Sequence, residues 1–248
     1  MIIYIYLYII KKYNIKIDNI MFCFCFLAYG EEHINEFNIV AKSILKLNTN
    51  FKIIVGTDNT DAIISGVHSI IQINEGFNYN LKRLVIEHAF KEFNTILFLD
   101  TDIFIKNGID FSVLYELNEG MYVGEIVGLN RLKDVYGSLE YMREYLNELT
   151  NIYPNEFFLV HEGIFVLELK NNKQKEDFIK YWKEIDTQTR PYQKLAYDLP
   201  GAMEGIIIWI AIQKANIKLT LMEGKIEKLF RNIRHFGKRN CKLERTLI

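Results

Sequence analysis

Two carboxylates one residue apart, Asp100 and Asp102, close the apolar run Ile96-Leu97-Phe98-Leu99, with Thr101 between them. Four consecutive apolar residues are too few for a helix and suit a strand buried on both faces. In extended chain, positions i and i+2 project to one side, so both carboxylates can reach a single cation. Open α/β sheets take their ligands beyond the C-terminal ends of the strands. Mg²⁺ is commonly held there by one or two carboxylates together with substrate phosphates. The pattern is that of a metal-diphosphate site. The plainer reading is a strand followed by a solvated turn, because acidic residues also gather at strand ends by chance.

A second group lies near the end of the chain, Arg234-His235-Phe236-Gly237-Lys238-Arg239. Glycine lets backbone approach a ligand closely, lysine and arginine neutralise phosphate, and neutral imidazole ligates metals. An imidazole added to two carboxylates would favour Mn²⁺ over Mg²⁺. A solvated basic tail over residues 225–248 is the competing reading. His161-Glu162 interrupts an apolar stretch, as polar groups facing a cleft or a satisfied core pair would. Glu204 precedes an apolar helix, where the helix dipole favours its charge. Glu204 and Glu162 are the candidate catalytic carboxylates. Trp182 and Trp209 sit at helical spacing as core residues, and His33 and His88 read as surface histidines on helices.

The elements that position these groups follow from apolar periodicity. Strands are expected at 22–28, 51–55, 68–73 and 96–99, with Gly56-Thr57-Asp58-Asn59 stopping the second. Amphipathic helices are expected at 34–47 and 81–93, the latter with Asn80 as N-cap. That alternation describes a nucleotide-binding α/β half. Beyond it lie a short helix at 111–117, a strand at 121–127 and a helix at 139–149. A broken strand follows at 157–169, then a helix at 174–185, a buried helix at 205–215 and a strand at 217–222. Neither an internal repeat nor a low-complexity linker appears. The division is an N-terminal extension or extra strand at 1–20 and one domain at 21–248, its donor half ending near 105 and its acceptor half running from about 106.

The totals fit that picture. Half of the 248 residues are hydrophobic and a quarter charged, enough for a sizeable core. A formal net charge of −1 supplies no field for nucleic acid. Cys23, Cys25 and Cys241 do not suggest a disulfide framework, and the first two read as reduced core residues on one strand face. Residues 1–10 are too few to span a bilayer, which takes about 20, and the charges of Lys11-Lys12 follow the apolar run, unlike those of a signal peptide. A cytoplasmic protein is expected, with Met1 or Met21 as its start.

Together these residues resemble the GT-A glycosyltransferases, a Rossmann-like nucleotide-diphospho-sugar transferase fold with a mixed central sheet flanked by helices. They are most similar to family 8, which includes glycogenin and the bacterial lipopolysaccharide hexosyltransferases. The likeness is carried by Phe98-Leu99-Asp100-Thr101-Asp102, by Lys82-Arg83 in the preceding helix, by Gly163-Ile164-Phe165-Val166 and by His235-Phe236-Gly237-Lys238, and it spans Phe22 to about Lys238. It implies Mn²⁺, or Mg²⁺, on Asp100, Asp102 and His235. It implies a UDP-sugar donor contacted by Arg83, with Lys82 as the alternative, and by Thr101, Gly237 and Lys238 around the diphosphate. Ala28-Tyr29 would hold uridine, and Asp58 falls at the matching position after the second strand. The implied reaction is hexosyl transfer to a glycan, protein or lipid-linked acceptor, with retention. The chain departs from the family at Glu162, where asparagine is usual, at Met203-Glu204-Gly205, where an Asp-Gln pair is usual, and at Asn240 after the crowded Gly237-Lys238. Two other classes remain. A haloacid-dehalogenase-like Mg²⁺ phosphatase also ends a strand in Asp-x-Asp, although Phe104 stands where Thr or Val is common. An inactive sugar-nucleotide-binding protein could keep the fold without turnover.

Overall fold

The computed structural model describes residues 22–105, 109–124, 126–128, 158–160, 163–193, 200–231 and 233–235. Expectations for residues 1–21 and 139–149, and for His161, Glu162, Gly237 and Lys238, lie outside these.

The main sheet has seven strands. Its first half is β1 (Phe22–Ala28), β2 (Lys52–Thr57), β3 (Ser69–Gln72) and β4 (Thr95–Leu99), connected through helices α1 (Glu31–Leu47) and α2 (Lys82–Ala89). Its second half is β6 (Gly120–Val123), β9 (Ile164–Glu168) and β10 (Leu219–Leu221). The spatial order is β10-β6-β9-β4-β1-β2-β3. The β1–β2, β2–β3, β1–β4 and β6–β10 pairs are parallel, while β9 runs antiparallel to both β4 and β6. The sheet is therefore mixed, as expected. Two small antiparallel pairs stand apart from it. One joins β5 (Ile103–Ile105) to β11 (Ile233–His235), the other β7 (Ile126–Gly128) to β8 (Phe158–Val160).

Side-chain alternation along the central strands divides the core into two layers. Cys23 and Cys25 of β1, with Ile96 and Phe98 of β4, face α2, α3 (Asn172–Gln193) and α4 (Pro200–Lys214). Phe22, Phe24 and Phe26, with Leu97 and Leu99, face α1 and α5 (Gly224–Arg231). Both cysteines are free and buried with their sulfurs 3.7 Å apart, and burial pushes the Cys23 thiol well above its ordinary pKa. Trp182 and Trp209 are buried in the first layer. Among the described residues no helix is long and apolar enough to cross a membrane.

Several expectations are corrected. Gly56 does not stop β2 but lies within it. A Cβ there would come within 2.6 Å of Val85 on α2, so glycine is what lets helix and strand close up. Asn80 does not cap α2, whose N-cap position is Leu81 and carries no side-chain bond. Its buried amide instead donates to Asp186 at 2.7 Å and accepts from the Trp182 indole at 2.9 Å, tying the helix start to α3. α2 ends at Ala89, four residues early, followed by turn bonds from Phe90 and Phe93. The strand expected at 121–127 corresponds to β6 (Gly120–Val123) and β7 (Ile126–Gly128), which belong to two different sheets. Among the described residues of the basic tail, α5 and β11 bury Ile226, Leu229 and Ile233.

Candidate functional site

The strand order reverses at β1, whose neighbours β2 and β4 are reached by connections leaving in opposite directions. Ligands of open α/β sheets bind in the crevice at such a point. The residues meeting there are Ala28 at the end of β1 with Tyr29 and Gly30 after it, Thr57 at the end of β2 with Asp58 after it, and Asp100, Thr101 and Asp102 after β4.

Alternation along β4 continues past its last residue. Asp100 falls on the α2–α4 side with Phe98, and Thr101 on the α1 side with Leu99. The Asp100 amide donates to the Gly163 carbonyl at 2.8 Å, extending the β4–β9 ladder by one bond. The Asp100 carboxylate meets Lys82, whose Nζ is 3.0 Å from Oδ1. The same ammonium is 3.2 Å from Glu204 Oε2 and 5.1 Å from the centre of the Phe98 ring. Lys82 is 5% exposed and Glu204 not at all, whereas Asp100 keeps 33% of its side chain exposed. The charges thus run from the protein interior to an exposed carboxylate. Glu204 stands inside α4, which starts at Pro200 rather than beyond Glu204.

Arg83, one residue along, turns the other way. Its Nη1 donates to Glu87 at 3.0 Å on the outer side of α2. There it borders a cavity of about 990 Å³ between α2 and α3, which none of Asp100, Lys82 and Glu204 lines. That cavity is walled mainly by long charged side chains of two helices. The Asp100–Lys82–Glu204 ion chain lies instead at the C-terminal end of β4.

At the β1 end, Ala28 is fully buried and Tyr29 is pinned. Its hydroxyl donates to the Glu75 carbonyl at 2.9 Å, and its ring lies 5.4 Å from that of the exposed Phe77. Asp58 Oδ1 accepts the Gly30 amide at 2.9 Å, and Gln72 Nε2 donates to the Asp58 carbonyl at 3.0 Å. Gly30 adopts φ +83°, a conformation glycine takes without strain. The Asp58 carboxylate therefore braces the loop between β1 and α1.

His235 is brought near from the far end of the chain. Antiparallel pairing of β11 with β5 sets His235 opposite Ile103, the residue after Asp102. The backbone thus places at one edge the three residues that the sequence nominated for a cation. Their donor set, two carboxylate groups and an imidazole, suits Mn²⁺ or Mg²⁺ with a diphosphate supplying further oxygens. Among the described residues no group of three or more His, Cys, Asp or Glu side chains is assembled to hold a metal.

Two side chains escaped the sequence reading. Glu36 and His33, on successive turns of α1, both reach Thr101. The Thr101 hydroxyl donates to Glu36 Oε2 at 3.1 Å, and His33 Nδ1 is 3.2 Å from Thr101 Oγ1. His33 is a helix-surface histidine, half exposed as expected, but it touches the aspartate turn. No local pattern marks either residue, because the contacts span 65 and 68 positions.

A mixed sheet between helical layers, with a parallel β3-β2-β1-β4 half and acidic residues at the end of β4, is the GT-A (Rossmann-like) architecture. The chain is similar to the crystal structure of a galactosyltransferase, LgtC, in complex with donor and acceptor sugar analogues. The identity is 12%, the TM-score 0.52, and 87% of each chain is covered. The glycosyltransferase GlyE of Streptococcus pneumoniae is a weaker match at 11% identity and a TM-score of 0.46, covering 81% of this chain and 45% of that one. At such identities the likeness shows the fold. No protein-family model matches the sequence, and no curated protein matches it.

Proposed function

We propose that the chain is a glycosyltransferase of the family 8 type. It transfers a hexose from a nucleotide sugar, most simply a UDP-sugar, to a glycan, protein or lipid-linked acceptor. The observation that carries this reading is the Asp100–Lys82–Glu204 ion chain at the strand-order reversal, with the Asp100 carboxylate left partly exposed. The fold likeness supports transfer over phosphate-ester hydrolysis.

In this reading Asp100, Asp102 and His235 would hold Mn²⁺ or Mg²⁺. Held there, the cation would supply Lewis-acid neutralisation of charge on the diphosphate leaving group. Lys82 places a buried ammonium beside the same position and adds to that electrostatic stabilisation. In this reading it takes the donor-contacting role that the resemblance gave first to Arg83, with Lys82 as the alternative, since Arg83 is engaged with Glu87 on α2. Tyr29, fixed by its hydroxyl, offers a ring to the uracil, and Asp58 keeps that loop in place through Gly30. Glu204 orients Lys82 from inside the protein and so acts on the reaction indirectly.

The test is incubation with a panel of UDP-sugars, Mn²⁺ and water, scored for UDP release, beside a panel of small phosphate esters. Release of UDP from at least one sugar, lost in Asp100→Ala and Asp102→Ala, is expected. Arg83→Ala should leave UDP affinity near that of the natural protein. His235→Ala should weaken Mn²⁺ more than Mg²⁺, because imidazole prefers the softer ion. Phosphate-ester hydrolysis without UDP release would replace this reading by the phosphatase one.

A further inference from the structure

We propose that Glu36 is a positioning residue for the aspartate pair, acting through the Thr101 hydroxyl, an inference that rests on the cation-and-diphosphate reading above. Thr101 stands between the two carboxylates and is only 5% exposed. The alternation of β4 turns it away from Asp100 and toward α1, where its Oγ1 donates to Glu36 Oε2 at 3.1 Å. His33 Nδ1 lies 3.2 Å from each of these two oxygens and closes a triangle of polar atoms. The Glu36 side chain is 12% exposed, so a carboxylate little open to solvent accepts the bond.

The aspartate turn is thereby held from both sides of the sheet. Lys82 grips the Asp100 carboxylate on the α2 side, the Gly163 carbonyl holds the Asp100 amide in the plane of the sheet, and Glu36 with His33 holds Thr101 on the α1 side. Two carboxylates two residues apart share one cation only while the turn keeps their spacing. An untethered turn would lose conformational freedom each time a cation bound, which weakens binding. Outer-shell partners of this kind typically contribute 10–100-fold to metal affinity. Thr101, expected from the sequence to touch the donor, is on this view a strut whose hydroxyl is committed to α1.

The experiment is titration of the full chain with Mn²⁺ at saturating UDP, with UDP affinity measured separately in the absence of metal. Thr101→Val removes the hydroxyl at nearly constant volume, and Glu36→Leu removes the acceptor. Each should raise the Mn²⁺ Kd roughly 10–100-fold. Thr101→Ser and Glu36→Gln, which keep a donor and an acceptor, should stay close to the natural protein. The Thr101→Val/Glu36→Leu double variant should bind Mn²⁺ no more weakly than the worse single one, since both break one connection. Metal-free UDP affinity should be unchanged throughout. Equal losses with and without metal would mean general damage to the crevice and would overturn the proposal, as would natural Mn²⁺ affinity in Thr101→Val. A natural protein that shows no Mn²⁺-dependent UDP binding would overturn the underlying reading and this one with it. A natural protein that binds, with variants that match it, would overturn this one alone.

Discussion

Lys82 and Arg83 are neighbours of similar chemistry with opposite placements, and the difference is energetic as well as functional. Lys82 is buried against Phe98 and shared by Asp100 and Glu204, whereas Arg83, itself 12% exposed, bonds Glu87, whose side chain is 47% exposed. Replacing one partner of a buried ion pair leaves the other charge buried and costs about 3–5 kcal/mol. An i,i+4 pair on a helix surface contributes only about 0.3–0.5 kcal/mol. Lys82→Met is therefore expected to lower the unfolding free energy by several kcal/mol, roughly the buried-pair figure, and Arg83→Met to change it little. Lys82→Met/Glu204→Leu should regain most of the loss, because the buried Glu204 carboxylate is then not left without its ammonium. Urea denaturation of the three variants measures this, and a Lys82→Met protein as stable as Arg83→Met would show the ion chain to be solvated. The aspartate pair was legible from sequence because strand and carboxylates are contiguous. The choice between Lys82 and Arg83 was not, because adjacent helix positions differ by about 100° and only the packing of α2 decides which one faces the crevice.

At the scale of elements, the strands up to Leu99 were readable because each is a short apolar run ended by turn residues, and α1 because Ile34, Phe37, Val40, Ala41 and Ile44 recur at helical spacing. The division of residues 121–127 between two sheets was not, since changing sheets is a tertiary event and leaves the hydrophobic pattern almost unbroken. Helix α5 was hidden by its own charges. Lys225, Lys228 and Arg231 dominate the composition, yet Ile226 and Leu229 at i and i+3 are buried beside Phe111 and Leu114. This helix precedes β11, which sets His235 opposite Ile103. Leu229→Ala should cost about 2–5 kcal/mol through the cavity it leaves. It should also weaken Mn²⁺ in the presence of UDP while the protein is still folded. Thermal melts paired with Mn²⁺ titration well below the midpoint would show both effects. Undiminished Mn²⁺ affinity in a folded Leu229→Ala protein would disconnect α5 from the site.

For the whole molecule, the donor and acceptor halves read from the sequence are halves of one sheet. β4, which ends in the aspartates, has β1 on one side and β9, some sixty residues further along the chain, on the other. Phe98 of β4 stacks on Phe165 of β9 with ring centres 5.1 Å apart and planes 10° from parallel. The layer over this face is built by α3 and α4, so the donor half contributes to it only α2. Residues 22–105 alone would expose the apolar α2 side of β1 and β4 and an unpaired edge at β4, the strand that carries the site. An exposed apolar edge strand invites pairing with other chains. Burial at about 25 cal/mol per Å² of apolar surface is the main force available to the fold, and here much of it comes from residues beyond 105. The fragment 22–105 is therefore expected to aggregate or remain unfolded, and to recover its fold only when residues 106–248 are supplied. Far-UV circular dichroism and size-exclusion chromatography of the separate and mixed fragments test this. A monomeric, cooperatively melting fragment 22–105 would show that the nucleotide half folds independently and that β9 is an addition to a finished sheet.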